Sequence, residues 1–129
     1  MAEIKSFRDL RVYKRALQQA HELFDITRAF PTEERYALID QIRRSSRAVG
    51  ALLAEAWARR RYRAAFVNKI NESLGEAMET QAWLDHARMC AYIDDALYQT
   101  LDREWQQIGG MLQRMIQKAD DFCLTDKAK

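Results

Sequence analysis

Proline occurs once and glycine four times in 129 residues. Sheet-rich folds consume many turns, and turns draw on those two residues. Their scarcity argues against a turn-dense β architecture and for long helices. Cysteine occurs twice, at Cys90 and Cys123, with no CxxC pair. That is the pattern of a reduced cytoplasmic chain, and spacing alone leaves a disulfide between them open. No run approaches the ~18 apolar residues that cross a bilayer. The opening MAEIKSFRDLRVYKRAL holds no apolar core of signal-peptide length. A cytoplasmic address with no membrane partner is expected.

The motifs of catalysis are missing as well. A di-metal bundle site wants Glu-x-x-His on two helices, and no Glu-x-x-His occurs. His21 and His86 lie apart in sequence, and Glu55, Glu72, Glu76 and Glu79 are the central carboxylates. There is no glycine-rich phosphate loop. Cys90 and Cys123 are read without a histidine partner, and Ser45 and Ser46 fall inside a helix. The expectation is a non-enzyme with no catalytic residue, metal, cofactor or small-molecule substrate.

Hydrophobic residues make up 48% of the chain and charged residues 31%, as in a soluble globular protein rather than a disordered one. At this length one domain can enclose a core. The net charge of +2 is unevenly spread. Residues 41–63, QIRRSSRAVGALLAEAWARRRYR, carry seven arginines and a single acid, Glu55. This is the one stretch that suggests a polyanionic partner.

Apolar spacing predicts four helices, over about 7–29, 38–60, 64–89 and 94–122, with residues 124–129 frayed. Ser6 and Asp9 stand in capping-box spacing at the first start, and Pro31 ends that helix. The first helix shows two apolar stripes about 120° apart. One holds Leu10, Tyr13, Leu17, Ala20 and Phe24, the other Val12, Ala16, Leu23, Ile26 and Phe30. The second helix has a bundle face of Leu38, Ile42, Val49, Leu52, Leu53 and Trp57. Its back carries Gly50, Ala51, Ala54 and Ala58. Small residues there let another backbone come close. The third has an inner stripe of Phe66, Ile70, Leu74, Ala77, Gln81 and Leu84. In the fourth, Gly109-Gly110 is read as a point of close packing. The fold class is all-α, an antiparallel up-down four-helix bundle.

With the helices placed, SFRDLRVYKRA at 6–16, FPTEERYAL at 30–38, QIRRSSRAVGALLAEAW at 41–57 and ESLGEAMETQ at 72–81 carry a resemblance. The chain resembles the four-helix-bundle proteins encoded in intervening sequences of bacterial 23S ribosomal RNA genes, the S23-type proteins. Departures fall in the most typical stretch. The family usually has proline at Gly50, asparagine at Leu52, and glycine at Ala56 and Ala58. The resemblance implies an up-down bundle assembling into a ring, a pentamer in characterised relatives. It implies no activity, because the family's biochemical role is not established. A more distant likeness is to pentameric, basic, nucleic-acid-binding accessory proteins of diversity-generating retroelements, at the level of fold.

Two surfaces follow. A closed homo-oligomer, most simply a pentamer, is expected to bury Val12, Leu23, Ile26, Gly50, Ala51, Ala54 and Ala58 between copies. Glu55, in a helix expected to be covered on most sides, is expected to be paired by another helix or subunit across such a junction. The alternative partner is RNA or DNA, met by Arg43, Arg47, Arg59, Arg60, Arg61 and Arg63.

Overall fold

The structure, a computed structural model, describes residues 3–124. Four long helices form the bundle: α1 (Arg11–Thr27), α2 (Leu38–Ala58), α3 (Arg63–Met89) and α4 (Asp95–Gln117). A short α5 (Ala119–Phe122) follows. No strand occurs among the described residues. Consecutive long helices pack side by side and α1 closes against α4. Short connections therefore give the expected antiparallel up-down bundle.

The start of the chain differs from one continuous first helix. Ser6 does form a capping box with Asp9, but it caps a 3-10 turn at Phe7–Asp9. The Asp9 carboxylate accepts from the amides of Lys5 (2.9 Å) and Ser6 (3.1 Å). Those two amides, Lys5 first, hold its pKa below the usual value. Leu10 then runs extended (φ −65°, ψ 127°) and buries its side chain before α1 begins. α1 ends at Thr27, two residues earlier than expected. The amides of Arg28, Ala29 and Phe30 tighten onto the carbonyls of Asp25, Ile26 and Thr27 ahead of Pro31.

Of the two stripes on α1, the bundle takes mainly the second: Val12, Ala16 and Leu23 are buried, joined by Ala20 from the first stripe and by Thr27 from neither. Ala16 and Ala20 bring α1 close to its neighbours, and Val12 (3% exposed) and Leu23 (1%) lie in the core. This corrects the expectation that Val12 and Leu23 belong to an interface between copies. They are consumed inside the protomer.

The α2–α3 seam is the most extensive in the bundle. Large side chains from both helices, Ile42 and Leu53 of α2 and Phe66 and Ile70 of α3, are fully buried. Each contributes roughly 2–3 kcal/mol by burial. Small polar residues fill the rest and satisfy one another. Ser45 Oγ and Thr80 Oγ1 share a buried hydrogen bond of 2.8 Å. Ser73 Oγ donates to the Val49 carbonyl at 2.9 Å. On α3 the core stripe is Phe66, Ile70, Ser73, Ala77, Thr80, Leu84, Ala87. Leu74 and Gln81 sit at its edge, half-buried.

The fourth helix ends at Gln117 rather than 122. The chain turns at Lys118, and α5 lays Phe122 beside Phe66 (6.1 Å between rings). The Leu124 amide then donates to the Arg60 carbonyl at 2.9 Å. The expected frayed tail otherwise lies outside the described residues. The close-packing reading of Gly109-Gly110 is also corrected. A Cβ on Gly109 would meet Leu74 Cδ1 at an ordinary 3.5 Å, and one on Gly110 only the Arg114 guanidinium at 3.9 Å.

Candidate assembly and nucleic-acid surfaces

An open apolar groove of about 300 Å³ runs between α1 and α2. Its lining includes Tyr13, Leu17, Ala20, Gly50, Ala51 and Ala54. Leu17 is 58% exposed, well above what a bundle-facing leucine shows. Tyr13 is held edge-on by the Phe7 ring (5.0 Å, 83°). The groove has charged margins. Arg47 lines it on the α2 side, and Lys14, His21, Glu22 and Asp25 line a cleft on the other side of Leu17.

The residues expected between copies divide accordingly. Ala51 and Ala58 are exposed and Ala54 half-exposed, on the groove or beside it. Ile26 packs part-buried against the core. Gly50 is buried, and a Cβ there would meet Tyr13 Cε1 of the same chain at 3.4 Å. Glu55 requires a fuller correction. It is exposed rather than buried, and its partner is Lys69 of α3 in the same chain at 3.4 Å. Lys69 also meets Glu72 at 3.3 Å. The pairing needs no second subunit, because Lys69 reaches Glu55 from the neighbouring helix of the same chain.

The six arginines fall into two groups. From Arg47 to Arg59 is twelve residues, about 18 Å along α2. At the α2–α3 corner, two of the four are engaged locally. Arg60 Nε donates to the Trp57 carbonyl at 2.9 Å and its guanidinium stacks 3.7 Å from the Trp57 ring. Arg63 pairs with Asp120 at 2.7 Å. Arg59 and Arg61 are exposed, beside an exposed Tyr62.

The other group is more ordered. Thr27 is fully buried, and its hydroxyl donates to the Leu23 carbonyl at 2.7 Å. The same oxygen accepts from Arg43 Nε at 2.9 Å, while Arg43 Nη2 donates to the Phe24 carbonyl at 3.1 Å. Arg43 is thus fixed across the α1–α2 seam. Around the Phe24 ring stand three guanidinium groups: Arg43 at 4.3 Å, Arg28 at 4.8 Å and Arg47 at 5.2 Å. His21 stacks on the same ring at 6.4 Å. Burial, and then the positive charges of Arg47 and Arg28, pull Arg43 below the usual guanidinium pKa. Among the described residues, none of the three has a carboxylate in salt-bridge reach. Arg35, Arg43, Arg44 and Arg47 line the adjoining pocket with one acid, Asp40, which pairs with Arg44 at 3.3 Å.

Sequence reading missed Arg28. The signal was available in the register. In an antiparallel hairpin turning near residue 34, residues 24–28 lie opposite residues 40–47. It also missed that His86, one turn before Cys90, lines the same shallow cleft as Cys90 with Glu34 and Trp83. Cys90 and Cys123 are free thiols, and burial raises the pKa of Cys123. Among the described residues no three His, Cys, Asp or Glu side chains converge as metal ligands. No described helix is long and apolar enough to cross a membrane.

Fold and surface together define an all-α up-down bundle with an open apolar groove between α1 and α2 and arginine-rich edges. The chain belongs to the 23S rRNA-intervening sequence protein family, whose sequence model matches residues 8–114. It is similar to a crystal structure of a protein of unknown function from the S23 ribosomal protein family of Bacteroides thetaiotaomicron VPI-5482. That likeness has 29% identity and a TM-score of 0.74, covering 82% of this chain and 95% of the other. No curated protein matches the sequence.

Proposed function

We propose that the protein is a non-enzymatic, self-assembling bundle whose α1–α2 groove joins copies into a closed homo-oligomer, most simply a pentamer. One observation carries this reading: Leu17, 58% exposed, lines an open and largely apolar groove together with Tyr13, Ala20, Ala51 and Ala54. An isolated exposed leucine is ordinary. One set in an apolar groove with charged margins has the anatomy of an interface, an apolar centre inside a polar rim. The alanines let a second helix approach, and the margins offer both signs of charge, Arg47 on one side and Glu22 and Asp25 on the other. A surface carrying both signs suits a head-to-tail contact that closes into a ring.

Light scattering coupled to gel filtration tests this. The wild-type chain is expected at about five times the monomer mass. Leu17→Asp costs little in the protomer because the side chain is already half in water, and is expected to run as a monomer. A monomeric wild type at micromolar concentration sinks the reading.

A second reading, RNA or DNA binding through the arginines, is supported by a separate observation. Arg28, Arg43 and Arg47 gather on Phe24 without a compensating acid. Like charges held together at a cost to one another are a functional-site signal.

A further inference from the structure

We propose that the pocket along the first half of α2, lined by Arg35, Arg43, Arg44 and Arg47, is a phosphate site, and that Arg43 and Arg47, with Arg28 beside them on the Phe24 ring, grip the backbone of a nucleic acid strand there without reading its bases. This rests on the nucleic-acid reading and assigns it to one of the two arginine groups.

The α1–α2 group is built for an anion in a way the corner is not. Arg43 is anchored at two points, Thr27 Oγ1 and the Phe24 carbonyl, so its position is set before any ligand arrives. Anchoring through Nε and one Nη leaves the other terminal nitrogen of the fork to donate. Arg28 and Arg47 are drawn onto the same ring from α1's end and from one turn further along α2. Guanidinium groups suit phosphate oxygens because their planar N–H forks match them two at a time. A pocket holding several such forks and one already-paired acid attracts a negative group and offers it several donors. At the corner, by contrast, Arg63 already has a carboxylate and Arg60 is laid flat on Trp57.

Phe24 does not stack a base. Three guanidinium groups lie within 5.2 Å of its centroid and His21 is stacked on it. The ring is the post that gathers the arginines, and contact with the ligand is electrostatic. Binding at this site is therefore indifferent to sequence and sensitive to salt.

The test compares the wild type with the double variant Arg28→Ala/Arg47→Ala. Both side chains are exposed and touch the bundle only at the rim of Phe24, so the variant is expected to keep the fold. Arg59→Ala/Arg61→Ala at the corner is the matched control. Fluorescence anisotropy with a labelled mixed-sequence RNA strand and with homopolymers is followed across a salt series. The pocket variant is expected to bind at least tenfold more weakly. Its slope of log K against log salt is expected to fall by about 1.4, two single-strand phosphate contacts. The loss is expected to be equal for every sequence. The corner control is expected to change less. In a second arm, inorganic phosphate at fixed ionic strength is expected to raise the melting temperature of the wild type and not of the pocket variant.

Each other outcome has a distinct meaning. RNA binding unchanged in the pocket variant overturns this site while the nucleic-acid reading stands. A phosphate effect without any RNA binding overturns the nucleic-acid source and leaves free phosphate as the ligand. Neither effect overturns both. If the pocket variant loses oligomer mass and phosphate leaves the wild type's melting temperature unchanged, the arginines meet carboxylates of a second copy, and the inference falls.

Discussion

Gly75 and Gly50 give opposite answers to one substitution, and the structure says why. Gly75 lies in the middle of α3, exposed, and a Cβ built there meets nothing within 4 Å. Alanine at such a site gains the full helix-propensity difference, about 1 kcal/mol, with no steric term. For a chain of this size that raises the melting temperature by roughly 3–5 °C. Gly50 sits in α2 and gains the same propensity term. Its new methyl, however, would meet Tyr13 Cε1 at 3.4 Å and Cδ1 at 3.7 Å, the near edge of ordinary contact. Tyr13 is braced by the Phe7 ring, so it yields only by disturbing the 3-10 turn. Forcing an extra methyl into a set arrangement costs about 1–3 kcal/mol, which offsets or exceeds the gain. Gly50→Ala is therefore neutral to destabilising by up to about 2 kcal/mol. Urea unfolding of both variants at one fixed protein concentration measures the difference. A loss at Gly75 would show that this side of α3 is covered. A full gain at Gly50 would show that Tyr13 is not seated over α2.

Two further substitutions probe the seams. Thr27→Val keeps the shape of a fully buried side chain and removes the oxygen that accepts from Arg43 Nε. It is expected to cost about 1–2 kcal/mol, and Thr27→Ser, which keeps the hydroxyl, less; a thermal melt showing no loss in Thr27→Val refutes the anchoring of Arg43. Tyr92 donates to the Glu34 carboxylate at 2.8 Å, tying the α3–α4 turn to the α1–α2 turn. That bond, first among the causes, pushes the Tyr92 pKa from 10.0 up to about 12. A raised folded pKa means the stabilisation is complete below pH 10 and is lost as pH climbs toward 12. Tyr92→Phe is expected to lower the urea midpoint at neutral pH, and its gap to the wild type should close across that alkaline window. A gap that does not change with pH refutes the assignment.

The helix count, the chain order and most of the inward faces were legible because 3.6-residue spacing reports burial directly. Phe66, Ile70 and Leu84 on α3 and Leu101, Trp105, Ile108 and Leu112 on α4 are core residues on that ground alone. What failed was the choice between two apolar stripes on α1. Periodicity cannot rank them, since each reads as an inner face. The decision rests on a residue that hydropathy discounts. Thr27 enters the core because Leu23 and Arg43 satisfy its hydroxyl. The α2 back misled for a related reason. An alanine-rich face looks the same in sequence whether a helix covers it or water does. Glu55 then looked buried, when Lys69, fourteen residues on, meets it at the surface. The arginine cluster was half legible. Arg43 and Arg47 are one turn apart on one helix, whereas Arg28 arrives from across the hairpin.

Arg47 lines both the apolar groove and the arginine pocket, so the two surfaces are not independent. Its stem runs along the groove and its head reaches toward Phe24, the usual posture of a long cation at an apolar margin. Were a second copy to cover the groove, it would take that stem out of water and lower the effective dielectric around the head. The pull of the pocket on an anion would grow, since charge interactions strengthen as water is excluded. Assembly and phosphate binding would then reinforce each other, with one pocket per subunit at fixed intervals and weak contacts summing along a strand. The opposite coupling follows if the neighbour presents its Glu22 or Asp25 to Arg47. The carboxylate would occupy the donors, and phosphate would have to displace it. Which acid, if any, stands opposite Arg47 in the assembled protein therefore decides whether the ring opens the pocket to nucleic acid or closes it.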